Sequence, residues 1–292
     1  MFRRLSTICI VMVAPLAAAD DTTYTIKLYQ SKAGDVSNET RKMSGDTTFS
    51  FTPTGQPEQK QTTKEGEHYQ YTETILEKPA GAERATKLTR TYETAEKTER
   101  GEMRKLAYQG KTLLIEKGKD KYTFTIDGKP LAAEDAKELD KKFNTPDADR
   151  GPANQELMPT KPVKVGDTWA VDTAKAIRSM KADKLYPDEK KFTITGKLLK
   201  AYKKNAAQFG TIEIDTNMPL SEGDFGGNKV AFKAGSVMRF KMTIDCCIDG
   251  STPGVSSTAD VSMTMLADLP NGALEIRGKN DGIDTVEPVK SK

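Results

Sequence analysis

Histidine and cysteine are scarce in this sequence. Its 292 residues include one histidine, His68, and three cysteines. A Ser-His-Asp or Cys-His catalytic device would have to use His68, yet no G-x-S-x-G motif supplies a nucleophile. Zinc sites use several His and Cys ligands, which this composition lacks. The sequence therefore predicts no catalytic residue, no metal site and no cofactor, and His68 is interpreted as an exposed residue of a strand.

An excess of one charge is also missing. The chain has 45 Lys and Arg against 42 Asp and Glu, so it generates little long-range field towards nucleic acid or an anionic surface. After residue 19 no window approaches the roughly twenty apolar residues that a membrane helix needs. We therefore expect neither a nucleic-acid partner nor a membrane span.

The first nineteen residues have the layout of a secretory signal peptide. Arg3 and Arg4 form a positive start, residues 8–16 form a short apolar core, and Ala17–Ala19 provide small residues for cleavage. No cysteine stands at the cleavage point to carry a lipid. The interpretation is a secreted or periplasmic protein that is soluble after cleavage near Ala19.

Alternation of polar and apolar residues dominates the rest of the chain. A period of two indicates strands with one buried face and one solvent-exposed face. Antiparallel sheets tolerate this arrangement. The pattern predicts strands at residues 22–30, 68–77, 86–94, 111–116, 122–126, 238–248, 261–266 and 273–277. Short helices are predicted at residues 132–143 and 173–185. The predicted fold is mainly β (α+β), an antiparallel, strongly curved sheet or open barrel with two or three short helices.

Proline marks the division of the chain. Residues 20–144 form an N-terminal β-rich part that ends in a helix, and residues 163–292 form a C-terminal β-rich part. Between them, residues 145–162 contain four prolines and are interpreted as a linker or crossing loop. The alternative is that both parts form one domain. The pattern F-T-I-x-G-K-x-L at 124–131 and 192–199 fits either shared turn chemistry or a duplication.

One segment carries a family resemblance. Pro162–Trp169 reads PVKVGDTW and follows a DGKPL turn and helix at 127–143. This arrangement resembles exported β-rich bacterial proteins without an assigned activity. The resemblance implies an envelope or secreted protein and no catalytic residues. Trp169, the single tryptophan, is expected to be buried against a sheet, with ligand stacking as the alternative.

Two local features are candidate sites. Segment 221–228 reads SEGDFGGN, and Glu222, Asp224, Phe225 and Asn228 are predicted to form a contact loop. Its oxygen atoms lack the spacing of an EF-hand, so a flexible polar turn is favoured over a calcium site.

Cys246 and Cys247 form the second candidate. As neighbours on a strand they should point to opposite faces, which predicts a core thiol at Cys246 and a surface thiol at Cys247. The alternatives are an intermolecular disulfide through Cys247 or a redox-responsive bridge between the two, although adjacent cysteines can join only through a strained ring.

Three functions are compatible with the sequence. The first is an exported, non-enzymatic protein with a binding or cell-envelope role. The second is a carrier of an apolar small ligand in a curved-sheet cavity, with Met238, Met242, Met263 and Met265 as pocket or core residues. The third is a carboxylate-dependent hydrolase. The expected partner is therefore an apolar small ligand or an envelope protein.

Overall fold

The computed structural model describes residues 22–225 and 227–289. The predicted signal peptide and its cleavage point lie outside the described residues. No helix in the described part of the chain is long and apolar enough to cross a membrane.

Fifteen strands in the described part of the chain form one antiparallel sheet. The N-terminal strands are β1 (Val36–Pro53), β2 (Gln59–Glu77), β3 (Lys87–Glu99), β4 (Glu102–Lys105), β5 (Thr112–Lys117), β6 (Tyr122–Ile126) and β7 (Lys129–Pro130). The C-terminal strands are β8 (Thr168–Ala170), β9 (Leu185–Pro187), β10 (Thr193–Lys204), β11 (Ala207–Phe225), β12 (Asn228–Ala231), β13 (Val237–Cys247), β14 (Val255–Leu269) and β15 (Gly272–Pro288).

The strands follow one path from end to end. The order is β7-β6-β5-β3-β2-β1-β15-β14-β13-β11-β10-β8, while β4 pairs with β3, and β9 and β12 pair with β11. The sheet does not close, because no pairing joins β7 to β8 among the described residues. The predicted mainly β, antiparallel fold is confirmed. Short turns join β5 to β6 and β14 to β15 as antiparallel hairpins.

The two faces of the sheet differ in chemistry. The outer face is the one that carries Thr40, Thr285, Ser256 and Asp245, which lie side by side on β1, β15, β14 and β13. In these four strands it is polar apart from a few residues such as Ile283, which is 52% exposed. The inner face is the opposite one, and both helices and most buried side chains lie against it. The period-two pattern of the sequence reflects this division.

Two apolar clusters lie on the inner face, one towards each end of the sheet. The N-terminal core comprises side chains of β2, β3, β5, β6 and the first helix, including Tyr92, Leu113, Ile115 and Phe143. The C-terminal core comprises side chains of β10, β11 and β13, including Leu198, Ile212 and Ile244. A smaller cluster of Leu220, Met265 and Ile276 lies near the hairpin of β14 and β15.

Within residues 22–225 and 227–289, two α-helices cover the inner face. Helix α1 (Ala133–Asn144) has Glu134 and Asp135 in its first turn and Lys141 and Lys142 in its last, which complements its dipole. Helix α2 (Ala174–Ala182) is shorter than predicted. It ends early because Lys184 has a φ of 62°, and Leu185 then begins β9.

The predicted strand at 22–30 is not formed. Its only ladder contacts are isolated bridges from Tyr24 to Val163 and from Lys27 to Asp249. The alternation of this segment instead buries Ile26, with Tyr24 and Leu28 packed against the C-terminal core. The periodicity therefore indicated which side chains are buried but not that a partner strand exists.

The Pro-rich segment 145–162 crosses from α1 to the C-terminal core. It contains two 3-10 turns, Asp147–Asp149 and Asn154–Leu157, and it buries Leu157 and Met158. Trp169 donates a hydrogen bond from Nε1 to the carbonyl oxygen of Leu157 at 2.8 Å. Its ring lies half-buried over Gly196, where a Cβ atom would be only 2.1 Å from the indole.

Candidate functional site

A cleft of about 1530 Å³ opens on the inner face between the two cores. Residues 28–37 form one wall, and the end of α1 with residues 149–156 forms another. The remaining wall includes the end of α2 and the turn at 252–254. These elements are far apart in sequence, and the continuous sheet brings them together.

The floor of the cleft is a row of neighbouring residues on adjacent strands. Tyr71 of β2 pairs with Glu39 of β1, and Glu39 pairs with Val286 of β15. Val286 pairs with Val255 of β14, which pairs with Cys246 of β13. The row is polar at Glu39 and apolar from Val286 onwards. Three strand-to-strand steps separate Glu39 from Cys246, which corresponds to about 14 Å.

A buried ion pair lies at the polar end of this row. Arg90 donates from Nε and Nη2 to Oε2 of Glu73, at 2.8 Å in each case. Arg90 is only 6% exposed, and its guanidinium also lies 4.5 Å from the ring centroid of Tyr71 and 5.2 Å from that of Phe143. The pair and the two rings compensate for the loss of water around the buried charge.

Glu39 is the second carboxyl group at this end. The hydroxyl of Tyr71 donates to Oε2 of Glu39 at 2.5 Å. Burial, followed by the negative charge of Glu73, raises the pKa of Glu39. The two glutamates lie diagonally on neighbouring strands of the same face, since Glu39 pairs with Tyr71 and Ser37 pairs with Glu73.

Three cationic side chains, Arg84, Lys142 and Arg150, form what we call the cationic corner of the cleft. Arg84 donates from Nη1 to the carbonyl oxygen of Lys142 at 2.9 Å, and Arg150 donates from Nη2 to that of Phe143 at 2.7 Å. Both arginines thus satisfy the free carbonyl groups at the end of α1. The positive charge of Arg90, and then desolvation, lower the pKa of Lys142 to about 8, while the residue as a whole stays exposed to solvent.

The apolar end of the cleft is lined by both predicted redox residues, Cys246 and Cys247. Cys246 is 2% exposed and packs in the C-terminal core, as predicted. Burial, with further contributions from Asp245 and Cys247, raises the pKa of the Cys246 thiol to about 12. A thiol with such a pKa is a poor nucleophile at neutral pH.

The predicted surface position of Cys247 is wrong. This residue is also 2% exposed, because the turn that follows β13 folds over it. Its Sγ donates to Oδ1 of Asp249 at 2.9 Å and lies 3.6 Å from Oγ of Ser251. Both thiols are free in the structure. Alternation along a strand does not predict the covering of its last residue.

The predicted contact loop is a hairpin between β11 and β12, apart from the cleft. Glu222 forms an ion pair with Lys229, with 3.1 Å between Oε1 and Nζ. Oδ1 of Asp224 accepts a hydrogen bond from the backbone N–H of Gly227 at 2.8 Å. Phe225 packs edge-on against Phe232 and is 37% exposed. Asn228 begins β12 opposite Phe225. No group of three or more potential metal ligands occurs among the described residues.

The other residues considered from the sequence also lie outside the floor of the cleft. Nδ1 of His68 is 3.8 Å from Oε2 of Glu96 on the outer face of the sheet. Met265 is buried in the small cluster, while Met238, Met242 and Met263 are half-buried against the apolar clusters. These methionines therefore contribute to core packing.

The polar end of the cleft was missed by the sequence analysis. Its components are Glu39, Tyr71, Glu73, Arg90 and Lys142. One signal was available, because Arg90 lies between Leu88 and Tyr92 on the buried face of an alternating strand. A charged residue at such a position needs a buried partner.

The comparisons with known proteins add no relative. The chain matches no protein-family model, and it matches no curated protein.

Proposed function

We propose that this protein is an exported, non-enzymatic binding protein that holds a small molecule in the inner-face cleft. The observation that carries the proposal is the cleft itself, with its volume of about 1530 Å³ and a floor made of side chains from five neighbouring strands. Ligand sites are typically concave and occupy about 300–1,000 Å³. The cleft therefore has room for a ligand of that size or larger.

The chemistry of the lining supports binding. Glu73 is held by Arg90 and Glu39 by Tyr71, so the polar groups of the floor are fixed in position before a ligand arrives. Apolar side chains such as Val255 and Val286 continue the same floor. A preorganised site with a few polar groups and an apolar surface is typical of small-molecule binding. The signal-like N-terminus and the resemblance at Pro162–Trp169 support export.

A blocked cleft provides the test. Val286→Trp should fill the floor, whereas Ile283→Trp places the same indole on the outer face of the same strand. The neutral fluorescent probe N-phenyl-1-naphthylamine should bind the wild type and Ile283→Trp but not Val286→Trp, with similar melting temperatures for all three. Equal binding by both variants, or no binding by the wild type, would refute the proposal.

A second candidate function is a carboxylate-dependent hydrolase. It is favoured by one observation: Glu39, with its raised pKa, lies diagonally across from Glu73, which is paired with Arg90. Glycosidases use such a pair, with one protonated and one ionised carboxyl group. Turnover of aryl glycosides that is lost in both Glu39→Gln and Glu73→Gln would support it. No turnover by the wild type on a broad panel would exclude it.

A further inference from the structure

We propose that the ligand of the cleft is a single-chain amphiphile whose oxyanion head group binds at the cationic corner and whose apolar chain lies along Val286, Val255 and Cys246. This inference rests on the proposed binding function and specifies the class of ligand. It follows from the distribution of charge at one end of the cleft and from the order of residues along its floor.

The cationic corner has more positive charge than its carboxylates neutralise. Neither Lys142 nor Arg84 has a carboxylate oxygen within 4.0 Å in the described part of the chain. Arg150 pairs with Oδ1 of Asp147 at 2.9 Å, but Asp147 is 93% exposed in its side chain and lies at the surface. Nε of Arg150 is buried and has no hydrogen-bond partner among the described residues.

Two of the charges of the corner, those of Arg84 and Arg150, act on one another. Burial, and then the positive charge of Arg150, lower the pKa of Arg84. The positive charge of Arg90 likewise lowers the pKa of Lys142. An oxyanion placed among these groups would relieve the repulsion and accept charge-assisted hydrogen bonds, to which arginine and lysine are well suited.

The carboxyl groups of the floor do not cancel this charge. Glu73 is already paired with Arg90. Glu39 accepts from Tyr71, and its raised pKa reduces the negative charge that it carries. The ion pair and the hydrogen bond therefore leave Lys142 and Arg84 available to an incoming anion.

The rest of the floor suits a hydrocarbon chain. Val286, Val255 and Cys246 follow Glu39 in register, and Leu28, Ile75 and Val289 add apolar surface to the walls. The row from Glu39 to Cys246 spans about 14 Å, of which the apolar part from Val286 to Cys246 covers about 10 Å. A small inorganic anion would occupy only the polar end and would leave the half-buried Val286 and Val255 in contact with water.

The test uses four probes that share or lack each part of the ligand: decanoate, decyl phosphate, decanol and inorganic phosphate. Titration calorimetry on the purified full-length mature protein should show both anionic amphiphiles binding more tightly than decanol and than inorganic phosphate. Lys142→Met should weaken the two amphiphiles roughly tenfold, the effect of one charge-assisted hydrogen bond. It should leave decanol unchanged.

Matched variants separate charge from folding. Lys142→Arg keeps the charge and should retain binding of the amphiphiles. Lys137→Met removes a lysine from the exposed side of α1 and should have no effect, because Lys137 does not line the cleft. The order of affinity of decanoate and decyl phosphate then identifies a carboxylate or a phosphate head group.

Two results would overturn the inference while the binding function stands. One is that N-phenyl-1-naphthylamine and decanol bind while the anionic amphiphiles bind no more tightly than decanol. The other is that inorganic phosphate binds as tightly as decyl phosphate. Absence of binding by every probe, including the neutral one, would instead remove the proposed function.

Discussion

Arg90 and Glu73 form an ion pair in which both donor nitrogens, Nε and Nη2, converge on one carboxylate oxygen at 2.8 Å. The side chains are 7% and 14% exposed, so water compensates little for the loss of either partner. The pair lies between the N-terminal core and the cleft, and it therefore links the stability of the sheet to the shape of the site.

Removal of one partner of this pair should be strongly destabilising. Glu73→Met leaves the Arg90 charge buried and unpaired, and we expect a loss of about 3–5 kcal/mol in the free energy of unfolding, measured with urea. The double variant Glu73→Met, Arg90→Met should lose less than this. Lys87→Met, at the solvent-exposed pair with Glu116, is the control and should change the midpoint little. Equal midpoints for Glu73→Met and Lys87→Met would contradict the prediction.

Glu39 should make stability depend on pH in a defined direction. Because burial raises its folded-state pKa above 4.5, the folded protein binds this proton more tightly than the unfolded chain. The contribution favours folding below about pH 4.5 and is lost as the pH rises through the raised pKa. Glu39→Gln does not titrate, so its stability relative to the wild type, measured by urea unfolding, should increase as the pH rises above about 4.5.

Glu99 provides a control of opposite sign. The hydrogen bond and charge of Lys97 lower the pKa of Glu99, so its contribution is present above the unfolded pKa and is lost only as the pH falls through the lowered value. Glu99→Gln should therefore show no rise relative to the wild type over the same interval. A flat difference for Glu39→Gln as well would show that Glu39 is not desolvated.

Lys142 should give anion binding its own pH dependence. With a pKa of about 8, its amine loses its proton within an accessible range, and the affinity for decanoate should fall as the pH rises from about 7 to about 9. Calorimetry of the wild type and Lys142→Met over this range measures the effect. The decrease should be absent in Lys142→Met, and a decrease of the same size in that variant would assign the titration to another group.

The two buried thiols should be unreactive in the folded state. Cys246 and Cys247 are each 2% exposed, and the raised pKa of Cys246 keeps it protonated. Ellman's reagent at about pH 8 should therefore react slowly with the native protein. In urea both cysteines should react at once. Rapid labelling of one thiol in the native protein would indicate that Cys247 is accessible at the surface. Fewer than two reactive thiols from Cys246 and Cys247 in urea would indicate a disulfide.

Gly196 should be intolerant of a side chain. A Cβ atom there would lie 2.1 Å from Cε2 of Trp169, so Gly196→Ala must displace the indole and should cost about 1–3 kcal/mol. Urea unfolding gives the free energy, and the emission of the single tryptophan reports the displacement. Gly151→Ala is the control, since nothing lies within 4 Å of its Cβ position. Unchanged emission and stability in Gly196→Ala would contradict this packing.

Several strand positions could be predicted because the sheet has one polar face, but no strand was predicted at β1 (Val36–Pro53) or β11 (Ala207–Phe225). Residues 238–248 alternate strictly, and the structure forms β13 at Val237–Cys247. The same alternation at 22–30 predicted a strand that is not formed. A period of two indicates which side chains are buried, but it does not indicate whether a neighbouring strand is available for pairing. Tyr24 and Lys27 find only isolated partners.

The cleft could not be predicted from local sequence. Glu39, Glu73, Lys142 and Cys246 belong to elements whose proximity depends on the register between β1 and β15 and on the path of residues 145–162. None of them belongs to a spaced motif. Arg90 alone departs from its local pattern, since its neighbours on the buried face of β3 are apolar, and even this departure does not identify Glu73 as its partner.

The pairing of β1 with β15 has a consequence for the order of folding. It joins Ser37 to Pro288 at one end and Pro53 to Gly272 at the other, whereas neighbouring pairs such as β14 with β15 form local hairpins. Contacts between residues so distant in sequence close a very large loop and are slow to form. The pairing of β1 with β15 cannot form until β15 has been synthesised. The floor of the cleft includes residues of both strands, so it is expected to be among the last parts of the molecule to form.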